Sequence, residues 1–207
     1  LVIVNKRAGD IVQGDKTKDK PLSEKVKAYI KNKYNKPGDV YLGTIHRLDR
    51  PVSGAIIFAK TSKALTRMNK MFQDKTIQKT YWALCSEEPE DKSGKLIHYL
   101  VKDTNKNKTK AHDKEVKNSK KAELLYRFVK FKSGKALIEV NPLTGRPHQI
   151  RVQLSSMGCI IKGDLKYGAM LPNSDKSICL HSRKVEFTHP VSNEKISVTA
   201  PVPTKNW

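Results

Sequence analysis

The chain is short of acid, of cysteine and of aromatic residues. Among its 207 residues, 20 Asp and Glu face 41 Lys and Arg, a formal net charge of +21. That excess goes beyond what solubility asks for and points to a polyanionic partner. Nucleic acid comes first, because Lys and Arg contacts to phosphate release bound counterions. The three cysteines, Cys85, Cys159 and Cys179, lie far apart and form no CxxC pair. A disulfide framework and a zinc knuckle are both excluded, and reduced core thiols are expected. No HExxH pattern or clustered Cys/His set occurs. No apolar run reaches membrane-spanning length, and neither a cleavable signal peptide nor a lipidation signal is present. A soluble, cytoplasmic protein with no membrane partner is therefore expected. Aromatics at 7% and hydrophobics at 37% are modest. Apolar segments nevertheless recur from end to end, which argues for a folded chain.

The apolar pattern predicts a single domain over residues 1–207. The opening run "LVIVNK" reads as a strand that enters the turn region "RAGDIVQGDK". Because the chain opens inside that run, further residues are expected upstream. "PLSEKVKAYIKNKY" reads as a helix with Ser23 as N-cap and Val26, Tyr29 and Ile30 on one face. "GAIIFAKT" reads as a strand. Thr61 or Ser62 then opens a helix whose Leu65, Met68 and Phe72 share a stripe. "KTYWALCS" is a strand, "AELLYRFVKF" and "GKALIEVNP" form a hairpin, and "HQIRVQLSSMG" is a helix stopped at Gly158. "SRKVEFTHP" and "KISVTAP" make a last strand pair. Residues 102–121 are lysine-rich and nearly free of apolar side chains. They read as a projecting loop or mobile hairpin, either simply solvated or gripping phosphate. The class is α+β: a largely antiparallel mixed sheet flanked by helices and loops.

Two stretches bear on chemistry. "HRLDRPVSG" sets Asp49 between Arg47 and Arg50. A carboxylate there would repel a phosphate ligand, so it either anchors an arginine or reacts. "NPLTGRPHQIRVQL" places Arg146, His148 and Gln149 at the start of a helix that carries Arg151. A guanidinium close to a sequestered carboxylate favours its ionised form, which leaves a nucleophile available at neutral pH.

These stretches, together with "IIFAKT", "QKTYWAL", "LSSMGCIIKGDLKYG" and "LHSRKVEFTHPVSNE", resemble in order the RluA-type family of pseudouridine synthases. The resemblance runs over nearly the whole chain. It implies that family's catalytic fold and the isomerisation of uridine to pseudouridine in ribosomal or transfer RNA, with no cofactor and no metal. By the same resemblance Asp49 is the catalytic aspartate, acting as nucleophile or base toward ribose or uracil. Tyr81 packs on the uracil and takes part in late proton removal from C5, and Arg151 pairs with the aspartate. Arg47 matches the position that slips into the RNA helix or orders the backbone once the uridine has flipped out. His46, Arg50, Lys79, Arg146, His148 and Gln149 are candidates for RNA contact. For His46 and His148 a structural hydrogen-bonding role is the alternative, and for Arg146 the bracing of its turn. Lys162 reads as a surface phosphate contact, and Asp164 as a cap for backbone amides in the turn "IKGDLKYG". The chain departs from the common family pattern at Pro51 and Val52, where a hydroxyl residue is usual, and at Pro147 before His148. No S4-type RNA-binding module is recognisable within it. A monomer is expected. Rival readings are an RNA-binding assembly factor on the same fold and a metal-dependent nuclease. The retained Asp49, Tyr81 and Arg151 argue against the first, and the missing carboxylate cluster against the second.

Overall fold

The computed structural model describes residues 1–14 and 19–207. Of the expected turn at residues 7–16, Asp15 and Lys16 lie outside the described residues. The elements run β1 (Val2–Lys6), α1 (Leu22–Lys33), β2 (Gly43–Thr44), β3 (Ser53–Ala59), α2 (Ser62–Gln73) and β4 (Gln78–Cys85). They continue with β5 (Ser93–Asp103), β6 (Lys108–His112), β7 (Lys120–Lys132), β8 (Lys135–Pro142) and α3 (Gln149–Ser156). A short 3-10 helix (Leu165–Tyr167), β9 (Leu180–Thr188) and β10 (Lys195–Thr199) complete the chain.

The strands form one sheet in the order β1-β3-β9-β4-β8-β7-β5-β6, with β2 added to β3 and β10 to β9. Its pairings are antiparallel except where Ser53 and Gly54 meet His181 and Ser182 in parallel. Strand β3 explains the apolar run "GAIIFA". Ile56 and Phe58 face the larger core cluster with Val26 and Ile30 of α1, while Ala55 and Ile57 face a second cluster with Met68 of α2. A strand covered on both faces has no polar alternation to show.

The β3–β9 junction depends on two residues. Gly54 has φ +116°, and a Cβ there would stand 2.4 Å from the Ser182 carbonyl oxygen. Only glycine fits such a conformation at that approach. Ser53 Oγ lies 2.8 Å from His181 Nδ1, and His181 Nε2 lies 3.1 Å from the Ala200 carbonyl oxygen. The imidazole therefore accepts from the serine and donates to the carbonyl. This ties the turn after Asp49 to β9 and to the segment that follows β10.

Some sequence expectations are corrected, and two open alternatives are resolved. The N-cap of α1 is Pro21, whose carbonyl accepts the Glu24 and Lys25 N–H groups, and Ser23 is a buried residue of the first turn. Tyr29 stands in solvent at 57% exposure, since of the large apolar residues of α1 only Leu22, Val26 and Ile30 are buried. The N-cap of α2 is Thr61, whose side chain accepts from the Ala64 N–H at 3.1 Å. The lysine-rich stretch is an ordered hairpin: β5 and β6 pair from Tyr99↔His112 to Asp103↔Lys108. Its anchor is Thr109, 2% exposed, whose N–H donates to Tyr167 Oη and whose hydroxyl donates to the Pro147 carbonyl. β6 ends the sheet, where lysines also discourage pairing with another chain's edge.

Candidate active site

A cleft of about 940 Å³ opens between the loop before β3, the outer part of β4, the start of α3 and the tip of the β5–β6 hairpin. Asp49, Tyr81 and Arg151 line it, with His46, Arg47, Arg50, Lys79, Arg146, His148 and Gln149. Lys102, Asn107 and Lys166 join them from the hairpin side. Residues separated by a hundred positions in the sequence thus share one concavity.

Asp49 sits in a short turn closed by the Val52 N–H on its carbonyl at 3.0 Å. Beneath it lies Lys6, 1% exposed, at the end of β1. Its ammonium donates to the carbonyls of Arg7 (2.9 Å), Arg50 (3.2 Å) and Val52 (2.7 Å). A buried cation with all three hydrogens donated bolts the loop to the sheet. Burial pulls its pKa down to about 8; Asp10 and Asp49 oppose that, and Arg50 adds to it.

Arg151 projects from the first turn of α3 and is 5% exposed. Its Nε and Nη2 donate to the two oxygens of Asp164 at 2.7 and 2.8 Å, a bidentate pair with a carboxylate that is 1% exposed. The remaining edge of the guanidinium, through Nη1, donates to Asp49 Oδ2 at 2.9 Å. Burial alone would weaken the cation, but Asp164 and then Asp49 outweigh it and hold Arg151 protonated above its ordinary range. The guanidinium also lies 5.0 Å from the centre of the Tyr167 ring. Asp164 therefore does not cap backbone amides as its turn context suggested: it is the fixed counterion of Arg151. The Asp49 side chain is 30% exposed to the cleft and takes only the outer hydrogen bond.

His148 precedes α3 with φ 54°, in the left-handed region uncommon for a side-chain-bearing residue. Its Nδ1 lies 2.8 Å from Tyr167 Oη, and its Nε2 approaches Asp49 Oδ2 at 3.8 Å, beyond hydrogen-bond reach. Burial lowers its pKa and Asp49 acts against that. Tyr81 is 8% exposed in β4 and is pushed up to about 12, first by burial and further by Asp49. The Ser182 hydroxyl beside it pulls the other way, although Ser182 Oγ makes no hydrogen bond of ordinary geometry. The phenol is thus a protonated, half-apolar wall of the cleft.

The outer candidates divide by what already occupies them. His46 accepts the Ile57 N–H on Nε2 at 3.0 Å and packs on Phe72, and burial, then Lys79, drive its pKa to about 3. It is neutral and braces β3. Gln149 accepts from the Thr144 hydroxyl and the Arg146 N–H and donates to the Glu123 carbonyl, so its amide holds the loop before α3. Arg146 gives its Nε to the Lys121 carbonyl, and Arg50 pairs with Asp19 at 2.7 Å. Lys162 donates to the Asn206 carbonyl instead of standing free for phosphate. Arg47 is exposed on the cleft rim, and its side chain has no ion pair or hydrogen bond among the described residues. Lys79, over the Phe72 ring at 5.5 Å, has its pKa lowered by burial. Among the described residues no group of three or more His, Cys, Asp or Glu could hold a metal ion, and no helix is long and apolar enough to cross a membrane.

The cleft thus holds a carboxylate among cations, faced by a phenol, and the chain that builds it has relatives. A family model described as RNA pseudouridylate synthase matches residues 1–156. The chain belongs to this pseudouridylate synthase family. Ribosomal large subunit pseudouridine synthase C of Buchnera aphidicola is 34% identical over 209 residues, covering 98% of this chain and 64% of the relative. The protein of the same name from Vibrio cholerae is 30% identical over 208 residues, covering 98% and 63%. The chain thus spans a little under two thirds of these relatives. Human RNA pseudouridylate synthase domain containing 4 superposes with a TM-score of 0.80 at 22% identity, over 98% of this chain and 85% of that one. The α+β architecture with its mixed, mostly antiparallel sheet is therefore a pseudouridine synthase fold.

Three pieces of this cleft and its support escaped sequence reasoning: Lys6, the counterion role of Asp164, and Tyr167. A lysine closing an apolar strand run was the one available signal for Lys6. The "GDLKYG" turn contained both other residues but nothing to say what they face.

Proposed function

We propose that this chain isomerises uridine to pseudouridine in RNA, with Asp49 as the reacting carboxylate. The observation that carries this reading is a lone carboxylate presented to a cationic cleft by a buried arginine whose other edge is already taken by Asp164. In the reaction the C1′–N1 bond breaks, the freed uracil turns, and a C1′–C5 bond forms. C5 loses a proton and N1 gains one, so the atoms balance without a co-reactant.

Several lining residues have a part in this scheme. Asp49, as nucleophile or base, acts with one oxygen oriented by Arg151 Nη1 and the carboxyl open to the cleft. Tyr81 offers its ring to the uracil and its hydroxyl near C5, where proton removal completes the product. A base stacked and paired in a helix cannot turn, so the nucleotide must leave the stack. Arg47, free on the rim, fills the gap. Arg146, Lys79 and Lys102 meet phosphate. The relatives' names speak of the ribosomal large subunit, and we take its RNA as the first substrate to try ahead of transfer RNA.

The test is release of tritium from C5-labelled large-subunit ribosomal RNA that has never been modified at the target. Wild type should release tritium and Asp49→Ala should release none above background while keeping its fold. If the two variants release equally, Asp49 is not the reacting group. If both bind the RNA and neither releases tritium, the reading as an enzyme fails in favour of an assembly factor.

A further inference from the structure

Helix α1 carries a surface that the cleft does not use. The helical period places Tyr29 with Val26 and Ile30, yet the residue is 57% exposed, and Tyr34 at the C-terminal cap is 53% exposed. Lysines lie over both rings. Lys33 Nζ is 5.5 Å from the centre of Tyr29 and 5.8 Å from that of Tyr34, and Lys60 Nζ is 4.6 Å from Tyr34. Lys25 and Lys27 have acidic partners in Asp10 and Glu24. Lys31, Lys33, Lys36 and Lys60 have no ion pair among the described residues, and neither does Asp39, the nearest acid along the chain.

Exposed tyrosines gain little for the fold, and unpaired lysines massed beside them repel one another. Together they supply what an unpaired nucleic-acid strand needs: aromatic faces for bases and cations for phosphates. The lysines over the rings are no obstacle. An exposed cation–π contact is weaker than the stacking of a nucleobase on an aromatic ring, and a lysine stem is long enough to swing its ammonium from ring to phosphate. Paired bases show no free faces, so a duplex would engage the lysines only.

The helix that carries the two tyrosines starts beside the cleft. The Leu22 N–H donates to the Ile11 carbonyl at 2.7 Å, and Ile11 lines the cleft. From Leu22 the helix rise carries the two tyrosines roughly 10 to 18 Å further along the axis. We propose that Tyr29, Lys33, Tyr34 and Lys60 form a second RNA-contact surface that stacks unpaired bases flanking the target uridine. It rests on the reading of the chain as an RNA-modifying enzyme and adds a preference for single-stranded RNA beside the modified site.

The experiment is fluorescence anisotropy with a labelled oligouridylate of about a dozen nucleotides and an RNA duplex of equal length. The protein is compared as wild type, as Tyr29→Ala with Tyr34→Ala, and as the corresponding double Phe variant. The Ala variant should bind the single strand about tenfold more weakly, bind the duplex within about twofold of wild type, and keep the same salt slope. The Phe variant should bind as wild type. An oligouridylate carrying 5-iodouridine should photocrosslink to the peptide that spans residues 29–34. Unchanged single-strand binding in the Ala variant, an equal loss on the duplex, or crosslinks confined to other peptides would overturn the proposal. Should the double variant misfold, Tyr34→Ala alone, outside the helix interior, decides by the same comparison. The assay reads binding only, so tritium release by wild type without a tyrosine effect sinks this surface alone, and a tyrosine effect without tritium release sinks the isomerase reading and, with it, the placement beside a target uridine, leaving only a single-strand RNA contact.

Discussion

Replacing Asp164 by Asn isolates what the buried counterion does, because the shape is kept and the charge removed. In the wild type both oxygens of Asp164 accept from Arg151, at 2.7 and 2.8 Å, and neither residue is more than 5% exposed. An Asn keeps one acceptor and turns an N–H₂ toward the guanidinium, donor against donor. Breaking one side of a buried ion pair costs about 3 to 5 kcal/mol. Asn retains one hydrogen bond and Asp49 remains as second counterion, so about 3 kcal/mol is expected. For a chain of this length each kcal/mol moves the thermal midpoint by roughly 2 to 4 °C, which predicts a fall of roughly 6 to 12 °C. Catalysis should suffer separately. Freed from Asp164, Arg151 can turn a second N–H toward Asp49 and tie up both carboxyl oxygens, which lowers kcat with little change in KM. Asp49→Ala provides the contrast. It leaves the Arg151–Asp164 pair intact and removes a partly exposed group, so stability should stay within about 1 kcal/mol while activity is lost. Differential scanning fluorimetry and single-turnover tritium release measure the two effects. An Asp164→Asn protein with the wild-type midpoint and a rate within about threefold of wild type would refute the reasoning.

Further predictions follow from the same geometry. Tyr81→Phe keeps the ring and loses the phenol, so substrate binding should persist while kcat drops by about 10²-fold or more; because the phenol titrates at about 12, the wild-type pH–rate profile should show no limb from Tyr81 between pH 6 and 10. His181, held neutral by burial at about 4 against an ordinary value near 6.5, makes the unfolded state bind more protons in that interval. Its contribution is complete above pH 6.5 and is lost as pH falls toward 4, about 3 kcal/mol in all. Urea midpoints across that range should show the loss, and His181→Gln should flatten it. Replacing Lys106, Lys108 and Lys110 of the β5–β6 hairpin by Ala should make the slope of log affinity against log salt shallower by about 2 to 3. An unchanged slope would assign those lysines to protecting the sheet edge.

Much of the sheet could be read locally. The runs "GAIIFA" and "KTYWALC" and the Ser133–Gly134 hairpin carry their own period and turn chemistry, and the corresponding strands stand where expected. The β5–β6 hairpin was legible only as an alternative to a loop, and its order was not, because that depends on Thr109 reaching Tyr167 and Pro147, contacts 58 and 38 residues away. Tyr29 misled for the opposite reason. Helical spacing says which residues share a face, whereas the width of the face that packs depends on what covers it, and α1 buries only Leu22, Val26 and Ile30 of its large apolar residues. At the site, His46 and Gln149 were marked by their motifs, but their hydrogen bonds to Ile57, Thr144, Arg146 and Glu123 give them bracing roles in the free protein.

The amino-acid order alone settled the family's motifs, the cationic excess and the turn at "RPVSG" that sets Asp49 before a buried strand. These rest on composition and on interactions within a few residues, which the chain carries wherever it goes. What Asp49 faces was decided only by the tertiary structure. Arg151 lies 102 residues away, and it arrives with a spare N–H only because Asp164 occupies its other edge while Lys6 holds the loop below. Burying these charges in water's absence is tolerable only when every partner is in place at once. That condition belongs to the assembled fold and to no segment of it.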